Sequence, residues 1–345
     1  MKLDLPFITV VIPIKNEARF IEATIKKILH QDYPTDKTEI IVACGKSEDN
    51  SLEIVQALAR GDSRIRVFSN EVGKASGGRN IGIRNARGDI VTFIDGHTHI
   101  PDPQLLKSTA RLMAEKEVDV LSRPQFLEPP DNNYFQQAVA LARRSVIGHG
   151  LDSTIYTAKE IYVEPTSSGA SYKREIFQEF GLYDERFDAC EDVEFNYRLT
   201  KSGKKSFTSM SLAVYYYPRE TLGQLFNQMK RYGIGRLRLG RKHPATLTVA
   251  TLIPALFTSG MPLLAIGGFI STILGKIFIL LSASYLLGIL ASSIFVALRN
   301  GLKFLPLLPP IYFTIHVGLG WGFLAEAAKT IVGQGVSFDS NSQQD

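Results

Sequence analysis

Between Ala245 and Ala325 the chain carries only three full charges, Lys276, Arg299 and Lys303. No other feature narrows the possible folds so far. Residues 246–275, 277–298 and 304–325 each form an uncharged stretch of at least the roughly 20 residues that a helix needs to cross a bilayer. Three such runs in succession exceed what the core of a water-soluble fold calls for. They predict a transmembrane region over 244–330 with about three helices, followed by a polar tail, 331–345. Pro262 within 254–268 leaves a kink or a re-entrant turn open. Lys230, Arg231, Arg236, Arg238, Arg241 and Lys242 precede the first run without an intervening acid, and the turn at 299–303 is also basic. Positive charge gathers on the cytoplasmic side, which predicts a multi-pass protein of the cell (inner) membrane. Residues 1–243 are then cytoplasmic, and Lys276 and the tail lie outside.

The same placement explains the net charge of +5. Basic residues beside an apolar run suit the anionic headgroups of membrane lipids rather than a nucleic-acid groove, so no nucleic-acid partner is expected. Cys44 and Cys190 show no metal-ligand spacing, and a cytosolic domain predicts free thiols. The apolar run Phe7–Ile14 is too short for a secretory signal and is followed by Lys15, Asn16 and Glu17. It reads as a strand.

Strand and helix patterns alternate up to residue 122. Phe7–Ile14 has the unbroken β-branched character of a strand buried on both faces. A helix pattern follows over 18–30, then a strand at Glu39–Cys44, a helix through Leu52, Val55 and Leu58, and a strand at Ile65–Phe68. A helix over Arg79–Ala86 leads to strands at Ile90–Asp95 and Val118–Leu121. This order predicts an α/β fold, a mostly parallel sheet with helices on both faces. Residues 123–168 are irregular, with Pro124, Pro129, Pro130 and the polar run 131–133, and read as an acceptor-shaping loop or a surface excursion. Ligands of such sheets bind at the carboxyl ends of the strands, which here carry Asn16-Glu17, Gly45-Lys46-Ser47 and Asp95-Gly96-His97.

Three constellations carry chemistry. Asp95 and His97, two residues apart after a strand, suit Mg²⁺ or Mn²⁺ on a diphosphate; an aspartate there also serves as a plain helix cap. Glu191 and Asp192 open an amphipathic helix, where the dipole stabilises acids and also keeps an aspartate ionised, as a general base must be. Gln228 and Arg231 share one helical face ahead of Tyr232, fit either to neutralise a diphosphate or to meet a membrane surface.

Together with the segments 11–17 (VIPIKNE), 73–82 (GKASGGRNIG), 87–95 (RGDIVTFID) and 191–199 (EDVEFNYRL), these residues make the chain resemble a family 2 glycosyltransferase of the GT-A fold over about Ile8 to Lys242. With its terminal spans it is similar to the succinoglycan (exopolysaccharide) type of membrane glycosyltransferase. The resemblance implies inverting, metal-dependent transfer from a nucleotide sugar, a UDP-sugar before others, to a lipid-linked or glycan acceptor. It places Asp95 and His97 on the metal, Asp192 as base with Glu191 beside the acceptor, and Pro13, Asn16, Glu17 and Lys74 around the nucleotide. Gln228, Arg231 and Tyr232 match a Gln-x-x-Arg-Trp element, with tyrosine for tryptophan. Where the family carries a base-contacting aspartate after its second strand, this chain has Ala43, Cys44 and Gly45. The tyrosine favours single-sugar transfer; a processive synthase and a non-catalytic sugar-nucleotide scaffold are the alternatives.

Overall fold

The computed structural model describes residues 5–129, 133–149, 155–156 and 159–338. Residues 130–132, 150–154 and 157–158 of the irregular segment and 339–345 of the tail lie outside them. The chain divides into two compact units, residues 1–127 with 153–217, and residues 128–152 with 218–345.

The first unit is built on β1 (Ile8–Ile14), β2 (Thr38–Gly45), β3 (Ile65–Asn70), β4 (Ile90–Phe93), β5 (Thr98–His99), β6 (Val120–Ser122), β7 (Gln125–Leu127), β8 (Ile161–Val163), β9 (Gly169–Lys173), β10 (Ser206–Thr208) and β11 (Val214–Tyr216). Its main helices are α1 (Ile21–Leu29), α2 (Ser51–Gly61), α3 (Ala75–Asn85) and α4 (Leu105–Glu115). An eight-stranded sheet runs β3-β2-β1-β4-β9-β6-β10-β8, and β5-β11-β7 form a separate three-stranded sheet. In the large sheet β3, β2, β1 and β4 are parallel, β9 opposes β4 and β6, and β8 closes the edge antiparallel to β10.

Successive side chains of a strand point to opposite faces, and β1 buries both. Ile8, Val10, Ile12 and Ile14 pack with Ile21, Ile25 and Ile28 of α1, while Val11 enters a second core with Val91, Phe93, Tyr172, Phe177 and Phe195. The sequence shows the start of α3 only from Arg79, but the helix begins at Ala75. Ala75-Ser76-Gly77-Gly78 has little helix propensity of its own; packing against β1 supplies what propensity lacks. A Cβ on Gly82 would stand 2.1 Å from Val11 Cγ1, and one on Gly78 would stand 2.7 Å from Pro13 Cβ. The glycines therefore allow α3 to lie directly on the strand.

The second unit contains α5 (Tyr134–Arg144) and α6 (Val146–His149). The first unit resumes with α7 (Glu175–Phe180) and α8 (Glu191–Lys201), and the second then continues with α9 (Leu222–Lys242), α10 (Val249–Gly267), α11 (Thr272–Asn300) and α12 (Leu308–Ile331). The predicted segments 277–298 and 304–325 fall largely within α11 and α12. The segment 246–275 instead holds α10, a break at 268–271 and the first turn of α11, so Lys276 lies inside α11 rather than between helices. Helix α10 runs through Pro254 and Pro262. Among the described residues α10 and α11 are the helices long and apolar enough to cross a membrane, and most of their large side chains are exposed. In contrast, α12 buries Leu308, Ile311, Tyr312 and Ile315 against Leu225 and Met229 of α9 and Ala138, Val139 and Ala142 of α5. A Cβ on Gly322 would meet Lys230 O at 2.0 Å, and one on Gly320 would meet Pro254 O at 2.1 Å. Small residues let helix backbones approach this closely. Arg238 joins Glu326 through Nε–Oε1 at 2.7 Å and Nη2–Oε2 at 3.1 Å, with the Glu326 side chain 1% exposed.

Candidate active site

The carboxyl ends of β1 and β2 form an interlocked wall. Asn16 takes a left-handed backbone, φ 58°, a conformation that asparagine tolerates better than most residues. The turn exposes three successive amides: Asn16 N–H donates to Ser47 Oγ (3.0 Å), Glu17 N–H to Ser51 Oγ (2.7 Å) and Ala18 N–H to Asp49 Oδ2 (3.0 Å). In return Glu48 N–H donates to Asn16 Oδ1 (2.8 Å). Pro13 pairs in register with Ala43, and a Cβ on Gly45 would stand 3.3 Å from Ile14 O. The structure thus brings Pro13, Asn16, Glu17 and Gly45 to one sheet edge. Lys74, the residue before α3, donates from Nζ to Glu185 O at 2.8 Å. Cys44 and Cys190 are free thiols, both buried.

Beyond β4, Asp95 is a third exposed and Oδ2 accepts from Tyr216 Oη at 3.1 Å. Burial, then the Asp95 charge, raises the Tyr216 phenol above its ordinary range, so it stays a donor. Gly96 passes close to Glu17, whose Cγ would lie 3.0 Å from a Cβ there. This packing sets Glu17 Oε1 2.7 Å from His97 Nδ1. With Nδ1 paired to a carboxylate, Nε2 is the nitrogen through which a neutral ring would ligate a metal. His99 instead sits in β5 opposite Tyr215.

Glu191 and Asp192 open α8 after Cys190, whose φ of 64° is a left-handed conformation uncommon for such a residue. The turn separates the two acids. Asp192 lines a pocket with Asp95, Arg79, Arg123, Tyr183 and Tyr216, and its Oδ1 accepts from Val193 N–H at 2.8 Å. Glu191 is buried, with Arg79 Nη1 2.6 Å from its Oε1. Burial raises the Glu191 carboxyl above the usual range, and the Arg79 guanidinium opposes that rise.

Two arginines of this pocket were not among the sequence candidates. Arg123 is 3% exposed and donates to Phe93 O (2.6 Å), Thr92 Oγ1 (2.6 Å) and Ser171 Oγ (3.3 Å). Burial lowers its basicity. Arg79 belongs to the quoted segment 73–82, and its position one residue after Gly78 at the α3–β1 contact was the available signal. Arg123 follows a strand at the start of the irregular segment, where no pattern distinguishes it from a surface arginine. Gln228, Arg231 and Tyr232 lie on α9 in the second unit, where Gln228 Nε2 donates to Tyr232 Oη at 3.3 Å and the Arg143 guanidinium stands 5.8 Å from the Tyr232 ring centroid.

A mostly parallel sheet with acids at its carboxyl edge, faced by a further acid at a helix start, is the build of a GT-A glycosyltransferase. The chain belongs to glycosyltransferase family 2: the family's model, Glycosyl transferase family 2, matches residues 9–181, half of the chain. It is 26% identical over 94% of its length to the dolichyl N-acetyl-α-D-glucosaminyl phosphate 3-β-D-2,3-diacetamido-2,3-dideoxy-β-D-glucuronosyltransferase of Methanococcus voltae, covering 98% of that protein. It is 31% identical over 71% of its length to the succinoglycan biosynthesis protein ExoA of Rhizobium meliloti, covering 73% of that protein. Among solved structures, the mannosyltransferase PcManGT from Pyrobaculum calidifontis, in complex with GDP-Man and Mn²⁺, matches with a TM-score of 0.58 and 18% identity, over 96% of this chain and 89% of its own. That likeness establishes the fold.

Proposed function

We propose that this glycosyltransferase moves a sugar from a nucleotide-sugar donor, a UDP-sugar before others, to a lipid-linked acceptor at the membrane, with inversion, in the synthesis of a cell-surface glycan. One observation carries the reading: Asp95 and Asp192, from different elements, line a single pocket. Inversion needs a base on the acceptor side and charge neutralisation on the leaving-group side; Asp192 suits the first task, and Asp95, as a ligand of a bound cation, would serve the second. Asp192 removes the acceptor hydroxyl's proton as the oxygen attacks the anomeric carbon, and its place in the first turn of α8 favours the ionised form that the step requires. Glu191 acts beside it. Asp95 and His97 would hold Mn²⁺ or Mg²⁺, which neutralises the departing diphosphate when bound. An oxygen and an imidazole ligand favour Mn²⁺ over Mg²⁺, which prefers oxygen alone, and the Glu17–His97 contact supports the ring in that role. Pro13, Asn16, Glu17, Gly45 and Lys74 form the nucleotide's side of the site, while Gln228, Arg231 and Tyr232 assist the diphosphate.

The acceptor class has separate support. The Methanococcus voltae relative, named for a dolichyl phosphate acceptor, aligns across 94% of this chain, apolar helices included. A glucosyltransferase of Campylobacter jejuni, named for an undecaprenol-linked acceptor, is 33% identical over 32% of the chain. The exposed apolar faces of α10 and α11 suit lipid, and the basic residues of α9 and of the 299–303 turn support a cytoplasmic catalytic side. Nucleotide release from UDP-, GDP- and dTDP-sugars by detergent-solubilised protein, with membrane lipid extract and with or without Mn²⁺, tests the reading. Metal-dependent release of one nucleotide is expected. Donor binding without turnover across all acceptors would overturn it.

A further inference from the structure

Arg79 has a setting unlike that of any other arginine in the first unit. Arg123 spends its buried guanidinium on a backbone carbonyl and hydroxyls. Arg79 spends its own on the acids of the site: Nη1 lies 2.6 Å from Glu191 Oε1, and Nη2 lies 3.6 Å from Asp95 Oδ1. Its side chain is 11% exposed, and its Nε is buried with no hydrogen-bond partner. The rings of Phe93 and Tyr183 flank it, with their centroids 5.7 Å and 5.5 Å from Cζ. This aromatic packing fixes the plane of the guanidinium, and cation–π attraction holds it there. The Cα is fixed as well, because Gly78 and Gly82 on either side press α3 onto β1.

Glu191 and Asp192 are consecutive acids at one helix start, and Arg79 stands between their two settings: it pairs with the buried Glu191 at 2.6 Å and lines the pocket that Asp192 and Asp95 also line. We propose that Arg79 is the positioning residue of the transfer reaction: by pairing with Glu191 it keeps that acid in the wall, leaving Asp192 alone to meet the acceptor, and its reach to Asp95 fixes the spacing between the two sides of the site. The proposal rests on the reading of Asp192 as the base. It assigns Glu191 a part in the reaction that is exerted through Arg79. Glutamine at 79 leaves Glu191 as a buried, uncompensated acid beside Asp192; glutamine at both 79 and 191 removes charge and counter-charge together and relieves the conflict.

The test uses the full chain in detergent. Release of UDP from whichever UDP-sugar the wild type turns over with membrane lipid extract gives kcat, and calorimetric titration with UDP and Mn²⁺ gives nucleotide affinity. The variants are Arg79→Gln, Arg79→Lys, the double variant Arg79→Gln/Glu191→Gln, and Asp192→Asn. In Arg79→Gln, kcat should fall about 100-fold, the scale of a disabled general base, with UDP affinity within about threefold. Arg79→Lys should retain more activity than Arg79→Gln, and the double variant should regain about tenfold over Arg79→Gln, because the coupled pair is non-additive. Unchanged kcat in Arg79→Gln, no recovery in the double variant, or a loss confined to UDP affinity would each overturn the proposal. Should Arg79→Gln not fold, Arg79→Lys decides: reduced kcat with UDP affinity kept supports the role, and wild-type kcat refutes it. An active Asp192→Asn chain sinks the base assignment itself; an inactive one beside a fully active Arg79→Gln sinks the Arg79 proposal alone.

Discussion

Both units bury an arginine against a glutamate, and the two pairs differ in what surrounds them. Arg238 and Glu326 meet bidentately between α9 and α12. Around Arg79 the balance is unequal, with Glu191 at 2.6 Å and Asp95 at 3.6 Å, and with Asp192 lining the same pocket. Burial alone works against the Arg79 charge, but Glu191, then Tyr183, Asp95 and Asp192, outweigh it and hold the guanidinium more basic than usual. The Arg238–Glu326 pair joins two helices, whereas the Arg79 pair has two further acids lining its pocket, the arrangement expected where charge serves chemistry.

The largest expected effect breaks the contrast at its functional end. Asp192→Asn should lower kcat by about 10²–10⁴-fold, the contribution of a positioned general base, while leaving the thermal midpoint near that of the wild type. Glu326→Gln should do the reverse. Removing one partner of a buried pair costs about 3–5 kcal/mol, so thermal unfolding in detergent should move down by several degrees. A loss of kcat in Glu326→Gln larger than its loss of folded protein would show that this pair, too, serves the reaction.

The glycines sharpen the comparison. A Cβ at Gly322 would meet the Lys230 carbonyl, fixed backbone, whereas a Cβ at Gly82 would meet the Val11 side chain. Overpacking costs about 1–3 kcal/mol, and Gly322→Ala should fall at the upper end of that range because a backbone cannot rotate away. Thermal midpoints of Gly322→Ala and Gly82→Ala check the order. The smallest effect concerns Cys44, whose thiol burial pushes up to about 11. Its thiolate fraction rises only as pH approaches that value, so alkylation followed by peptide mass spectrometry should find Cys44 nearly unmodified at pH 8 in the folded chain and labelled after unfolding.

Much of this molecule was legible in its residues because local signals and tertiary packing agreed. Phe7–Ile14 is apolar throughout because β1 is covered on both faces, and Glu191-Asp192 opens a helix as the acidic start of an amphipathic run suggests. The strand-end rule collected Asn16, Gly45, Asp95 and His97 at one edge without knowledge of the register. What escaped was information that lives only in three dimensions. The first turn of α3 is a poor helix by composition and is held by contact with β1. Arg123 looks like any arginine until burial is known. The pairing of Glu17 with His97 spans 80 positions of sequence, and the left-handed turn at Cys190, which sends Glu191 and Asp192 to different surroundings, falls on a residue with no preference for it.

The chain leaves its first unit at Leu127 and returns at Ser153. In the interval, α5 places Ala138, Val139 and Ala142 among Leu225, Met229, Ile311, Tyr312 and Ile315. A fragment ending at Tyr217 would retain α5 while losing the α9 and α12 residues that cover it, leaving its apolar face bare in water. Secreting or crystallising the sheet-bearing half by itself would therefore require a splice across residues 128–152 as well as a stop codon. By the same logic the helical half and the sheet-bearing half are threaded through one another in the gene, and neither can be exchanged between enzymes by a single crossover.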